Sequence, residues 1–318
     1  MRRGRLHRLG LIAGMVGALA LAAPVGAITN GQADGGEHPY VGQLFFYDPD
    51  DIDSRFTDPG GWFNCSGTLI SPTVVLTAGH CTFGTGHGGA STLGSGGAGG
   101  NDVWVSFLEE PDYDGINSSS AYIPDGNGQR YTDRVAWLAT KPSWHRGTAY
   151  PHPDYNNAAF YLADAGVVIL DTPVDMPVYG VPAGLNYLDQ FTGKAKAQTL
   201  FEAVGYGLEK SLPIGAWGGD TRMKSQQVII NTLGVYGIHD RSSIVFSNNN
   251  GKVHRGGTCS GDSGGPFFLD NTNLQVAVNS YGVPPNCTGG DGAYRIDQPD
   301  DVAWLAAVLA GTDPRFGD

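Results

Sequence analysis

Gly257-Thr258-Cys259-Ser260-Gly261-Asp262-Ser263-Gly264-Gly265-Pro266 places one serine in a glycine-dense turn. Glycine lets backbone N–H groups approach a reacting atom closely. A serine held there could act as a nucleophile, with those N–H groups stabilising the oxyanion it creates. A simple tight turn would use similar residues, so the chemistry needs a base and a group to orient it. His80 supplies a base. It follows the apolar run Val74-Val75-Leu76 in Thr77-Ala78-Gly79-His80-Cys81. A free imidazole titrates near ~6.5, which suits proton transfer at neutral pH. Asp164 supplies an orienter. It stands before the apolar run Val167–Leu170, where partial desolvation makes it seek a donor such as a histidine N–H. Asp171, at the far end of that run, is the rival.

The elements that must hold these groups read as strands. Val41–Tyr47, Ser66–Ile70, Val74–Thr77, Val103–Phe107 and Val167–Leu170 are short, apolar or alternating, and bounded by turn residues. So are Gln198–Val204, Gln226–Ile230, Ser243–Phe246, Pro266–Leu269 and Gln275–Tyr281. Their length and β-branched or aromatic content predict β-structure. One helix is expected at the end. Asp300 or Asp301 caps it, Val302, Leu305, Ala306 and Leu309 give the spacing, and Gly311 stops it. The whole predicts an all-β fold of barrels or sandwiches with a terminal helix. Asp171–Leu185, with Pro173, Pro177 and Pro182, is the expected linker between two halves, residues 28–180 and 181–311, with a tail at 312–318. Residues 82–100 hold nine glycines and read as a loop. Residues 48–61 and 109–130 read as surface insertions.

The first residues read as a leader rather than part of the fold. Arg2, Arg3, Arg5 and Arg8 precede an apolar run from Leu9 to Ala23, and Val25-Gly26-Ala27 is a small-residue cleavage site. The run is shorter than the ~20 residues of a membrane span. Residues 1–27 are therefore expected to be a signal peptide and the product to be secreted. Their removal takes away four arginines and no acid, moving the formal charge from −12 to −16. That balance argues against nucleic-acid or anionic-membrane partners. The four cysteines of an exported chain predict disulfides. Three pairings are open, of which Cys65–Cys81 with Cys259–Cys287 is the local one. Zinc is disfavoured because no Cys-x-x-Cys pair occurs. Asn64, Asn117 and Asn286 begin glycosylation sequons.

These motifs, in the chain order His80, Asp164, Ser263, resemble the chymotrypsin family of trypsin-like secreted serine proteases. Smaller matches are His152-Pro153-Asp154-Tyr155-Asn156, Gly205-Tyr206-Gly207, Ser280-Tyr281-Gly282 and the helix with Trp304. The resemblance covers about Ile28 to Gly311. It implies two packed antiparallel β-barrels and cleavage of protein or peptide substrates through an acyl-enzyme. Ser263 attacks, His80 carries the proton, Asp164 orients His80, and Gly261 and Ser263 N–H groups hold the oxyanion. Ser280 is expected to bond Asp164, and its backbone, with Gly282, to pair with substrate. Ile28-Thr29-Asn30-Gly31 resembles the family's activated terminus, so the Ile28 ammonium is expected to pair with Asp262. Because Ile28 directly follows the expected leader, leader removal would itself activate the enzyme.

The specificity pocket is expected from Gly257, Thr258, Ser280, Tyr281, Gly282 and Gly292. Gly257 stands where trypsin has its aspartate, which favours an apolar or aromatic residue. Asp291 turning inward would instead accept arginine or lysine. No cofactor is expected, with calcium at Glu109, Glu110, Asp112 and Asp114 as the alternative. Protein inhibitors are possible partners, and a monomer is expected. A binding protein on the same scaffold, or an esterase, would share much of this pattern.

Overall fold

A computed structural model gives the structure of the chain. It describes residues 28–48, 61–86, 100, 102–113, 135–212, 215–233, 241–247, 256–282, 287 and 289–317. The expected leader 1–27, much of the segments 48–61, 82–100 and 109–130, and the sequons at Asn117 and Asn286 lie outside the described residues.

The strands are β1 (Gln32–Ala33), β2 (Val41–Asp48), β3 (Gly61–Ser71), β4 (Val74–Thr77), β5 (Val103–Ser106), β6 (Trp144–Pro151), β7 (Gly166–Leu170) and β8 (Val181–Pro182). After them come β9 (Phe201–Gly205), β10 (Leu208–Leu212), β11 (Gly215–Gly218), β12 (Met223–Asn231), β13 (Ser243–Ser247), β14 (Pro266–Leu269), β15 (Leu274–Gly282) and β16 (Asp291–Arg295). A helix spans Pro299–Leu309.

Strands β2-β3-β4-β7-β6-β5 close into one antiparallel barrel. Strands β12-β13-β16-β15-β14-β9 form a second, closed by the β9–β12 ladder. Closure leaves no barrel strand with an unpaired edge. Both barrels fill with apolar side chains, Leu44, Leu69, Val75 and Val105 in the first and Phe201, Ile229, Phe246 and Phe267 in the second. The expected all-β fold with a terminal helix is what forms. The helix differs in one detail: Gln298 is its N-cap and Pro299 its first residue, so Asp300 and Asp301 sit in the first turn. The Asp301 carboxylate accepts the Tyr294 hydroxyl instead.

Two segments cross between barrels. Strand β1 pairs with β12, not with its neighbour in sequence. Arg222, fully buried, fastens this segment. Its Nε donates to Asp34 Oδ2 at 2.9 Å, and its Nη1 donates to the Val41 and Phe107 carbonyls and to Tyr206 Oη. Burial pushes the Asp34 pKa up, but His38 and Arg222 outweigh it and hold it at about 2. The terminal helix crosses the other way. Trp304, Leu305 and Val308 pack with Ile70, Leu76, Ala165 and Val167 of the first barrel.

Candidate active site

His80 lies in a single turn of helix, Gly79–Thr82, directly after β4. Two constraints fix that turn. The Cys65–Cys81 disulfide ties it to β3. Gly79 lies so close to Tyr155 and Ala165 that a Cβ there would meet the Tyr155 ring at 2.5 Å. Asp164, fully buried, sits just before β7. Its Oδ1 accepts the His80 backbone N–H at 2.8 Å, and its Oδ2 lies 2.9 Å from His80 Nδ1. Ser280 Oγ donates to the same Oδ2 at 2.5 Å. The carboxylate is thus satisfied by three donors, and the imidazole is held with Nε2 facing away from it. Burial alone would lower the His80 pKa; the Asp164 charge and its hydrogen bond outweigh that and raise it. Asp171, the rival orienter, is exposed at the far end of β7.

The serine turn is built from backbone contacts. Gly261 and Gly264 have φ of 98° and 76°, which side-chain-bearing residues rarely adopt. A Cβ on Gly264 would fall 2.0 Å from Thr77 Oγ1. The turn therefore sits directly on the strand end that leads into His80. Ser66 joins the two. Its N–H donates to the Ser263 carbonyl, its hydroxyl donates to the Gly261 carbonyl, and its own carbonyl accepts Thr77 Oγ1. The N–H groups of Gly261 and Ser263 donate to no acceptor among the described residues. Two unused donors beside a serine hydroxyl can receive an anionic oxygen. Ser263 Oγ and His80 make no direct hydrogen bond here; such contacts commonly tighten only when substrate binds.

Ser263 opens into a cleft of about 320 Å³, walled by Thr258, Cys259, Ser260, Asn279, Ser280, Tyr281, Gly282 and Cys287. The Cys259–Cys287 disulfide braces one side. Of the residues expected to line the pocket, Gly257 and Gly292 stand outside this wall. Gly257 exchanges two backbone hydrogen bonds with Thr29, each 2.9 Å. Gly292 lies under the Tyr281 ring, where a Cβ would come within 2.2 Å. Asp291 is buried. Its Oδ2 accepts the Thr258 N–H at 2.9 Å and Gln227 Nε2 at 2.5 Å.

Asp262 is also buried, and accepts the N–H groups of Gly207 and Cys259 at 2.8 and 2.9 Å. Burial pushes its pKa up to about 7; those two donors oppose the shift, and the Asp291 charge adds to it. Ile28 is fully buried in the second barrel's core. Among the described residues no hydrogen bond joins the Ile28 amide to Asp262. The acidic turn holds its acids in other bonds: Glu109 accepts the Gly35 N–H, and Asp112 pairs with Lys141. Asp114 lies outside the described residues. Among the described residues one group of side chains has metal-like spacing, Cys65, His80 and Cys81, and both its sulfurs are in the disulfide.

Two contributors escaped the sequence reading. Ser66 gave one signal, its place beside a cysteine. Phe160 stands edge-on to His80 at 6.3 Å and to Tyr281 at 6.1 Å, flanking the cleft. No helix among the described residues is long and apolar enough to cross a membrane.

A family model described as Trypsin matches residues 128–300. Serine protease 1 and Serine protease 2 of Drosophila melanogaster are each 27% identical over 271 residues, 83% of this chain and 79% of theirs. Among solved structures, HL collagenase superposes with a TM-score of 0.55 at 18% identity, covering 90% of this chain and 100% of its own. Human heparin binding protein gives 0.55 at 16% identity, covering 90% and 99%. The scabies mite inactivated protease paralogue S-D1 gives 0.56 at 11%, covering 90% and 98%. The structural likenesses are ones of fold. Together with the family match, they establish that this chain belongs to the trypsin family of serine proteases.

Proposed function

We propose that the protein is a secreted serine endopeptidase that hydrolyses peptide bonds through an acyl-enzyme. The observation that carries this is the hydrogen-bonded chain Ser280–Asp164–His80 beside a serine turn with two unused N–H donors. Ser263 Oγ adds to the scissile carbonyl while His80 Nε2 takes its proton. The oxyanion is received by the N–H groups of Gly261 and Ser263, each such donor being worth about 3 kcal/mol of barrier. His80 then protonates the departing amine, and water repeats the cycle on the acyl-enzyme. Asp164 holds the imidazole's tautomer and stabilises its charged form. Ser280 acts through Asp164 as a positioning residue.

Activation is read from the other end of the chain. Cleavage before Ile28 would give a free ammonium next to the Thr29–Gly257 bridge, on the element that leads to Asp262. The ion pair would relieve an otherwise unpaired buried carboxylate. Export and activation would then be one event. N-terminal sequencing of the exported protein should give Ile28; any other start rules out this coupling.

The enzyme reading is tested with a fluorophosphonate on protein that begins at Ile28. Stoichiometric labelling should map to Ser263, and Ser263→Ala should lower peptide hydrolysis by about a millionfold. Folded protein that begins at Ile28 yet stays unlabelled would be a binding module on a protease scaffold.

A further inference from the structure

A second cavity, of about 690 Å³, shares no lining residue with the cleft at Ser263. It lies where the chain enters β2, where it runs toward β8, and where β14 turns into β15. Pro39, Tyr40, Pro177 and Val178 give it apolar walls, and residues 271–273 line another side. Glu37, His38 and Glu202 bring charge to it. A volume of this size suits a small organic molecule. The hydrolysis proposed above uses none of these residues.

His38 and Glu202 are each 5% exposed. The His38 ring is stacked on Phe268 with the planes 4° apart, which fixes its direction. Its Nδ1 lies 2.5 Å from Asp34 Oδ1. With its pKa held at about 2, Asp34 is ionised and can only accept, so Nδ1 carries the proton. A neutral His38 then has a lone pair at Nε2, which faces Glu202 Oε2 at 3.4 Å. Two acceptors thus meet, with no donor between them among the described residues. Buried acceptors without donors are rare in native structures and costly. Charge points the same way. Asp34, Glu37 and Glu202 bring three carboxylates, and Arg222 and Lys224 bring two cations. Burial pushes the Glu202 pKa up, against the opposing pull of His38 and Lys224.

We propose that this cavity is a binding site for an organic cation, a primary amine with an apolar body, whose ammonium bridges His38 Nε2 and Glu202 Oε2. Atoms 3.4 Å apart can both lie at a hydrogen-bonding distance of about 2.9 Å from one nitrogen. An ammonium brings three donors, enough for both acceptors, together with the missing positive charge. Tyr40, Pro177 and Val178 receive the apolar body. A metal ion matches less well, because the described side chains with metal-like spacing are Cys65, His80 and Cys81 and not this pair. The bound cation would also steady Asp34 through His38, and with it the segment that Arg222 fastens between the barrels.

The test is isothermal titration of the Ser263→Ala protein with phenethylamine, and with phenethyl alcohol as its uncharged counterpart. The amine should bind saturably and at least about tenfold more tightly than the alcohol, the lower end for a hydrogen bond to a charged group. Glu202→Gln should weaken the amine by at least about tenfold and leave the alcohol within a few-fold. Val178→Trp, which fills the cavity from its wall, should abolish binding of both. No saturable binding up to about 10 mM would mean that a proton on His38 fills the gap, and overturns the proposal. Equal affinity for amine and alcohol, or an amine affinity unchanged in either variant, overturns it as well. If Glu202→Gln does not fold, Val178→Trp decides, because Val178 is 45% exposed and its replacement leaves the core untouched.

Discussion

Adding one residue before Ile28 should change how stability depends on pH. Without a cation, Asp262 has a pKa of about 7 in the folded chain against an ordinary 3.8. Its raised value means that the unfolded chain loses its proton first as pH rises. Folded stability therefore falls from near pH 4 until the folded carboxylate also ionises near 7. About three units correspond to about 4 kcal/mol. A free Ile28 ammonium keeps Asp262 ionised over that window and removes this loss. Two proteins would be compared, one beginning at Ile28 and one retaining Ala27, both carrying Ser263→Ala to prevent self-digestion. Urea unfolding at pH 4.5 and pH 8 gives the free energies. The gap between the two proteins should widen by about 3 kcal/mol from the lower pH to the higher, part of the loss being already present at pH 4.5. Asp291 contributes its own dependence to both and cancels in the comparison. Asp262→Asn in the longer protein should flatten the difference. Equal pH slopes in the two proteins, or no effect of Asp262→Asn, would refute the role given to Ile28.

Ser280→Ala removes the 2.5 Å donor from Asp164 and loosens the His80 ring. It should lower kcat by about 10- to 100-fold, in line with ~1.5–3 kcal/mol for a hydrogen bond to a charged group. Its KM should change little, and Ser280→Thr should recover part of the loss. Gly264→Ala should yield little folded protein, because its Cβ would meet Thr77 Oγ1 at 2.0 Å in a backbone conformation with φ of 76°. Soluble expression and a thermal melt check this.

The chemistry of this chain was legible where it is local. His80 lies three residues after β4, Asp164 two before β7, and Ser263 in a turn whose positive-φ positions are glycines, so short motifs carried them. Strands such as β4 and β7 were legible because each carries an unbroken apolar run, Val74–Leu76 and Val167–Leu170. β6 was not, since Trp144–Pro151 contains His145, Arg146, Gly147 and a proline. β16 was hidden for a sharper reason. Asp291 and Arg295 end a strand whose five residues are all buried, and charged residues are seldom buried unless paired. Arg295 has its partners in Asp297 and Asp189, which no local pattern reveals. The link through Ser66 joins residues nearly 200 positions apart and appears only when the barrels meet.

The exchange of segments between barrels also orders events in time. Strand β1 must wait for β12, which is made about 190 residues later. Pairings so distant in sequence form late, after the intervening chain has been threaded and closed. The first barrel similarly lacks its cover until the terminal helix emerges. On the activation proposed above, an Ile28 terminus freed during export would have nowhere to dock until β12 and the rest of the second half had folded, so proteolysis would begin only once the whole chain had formed.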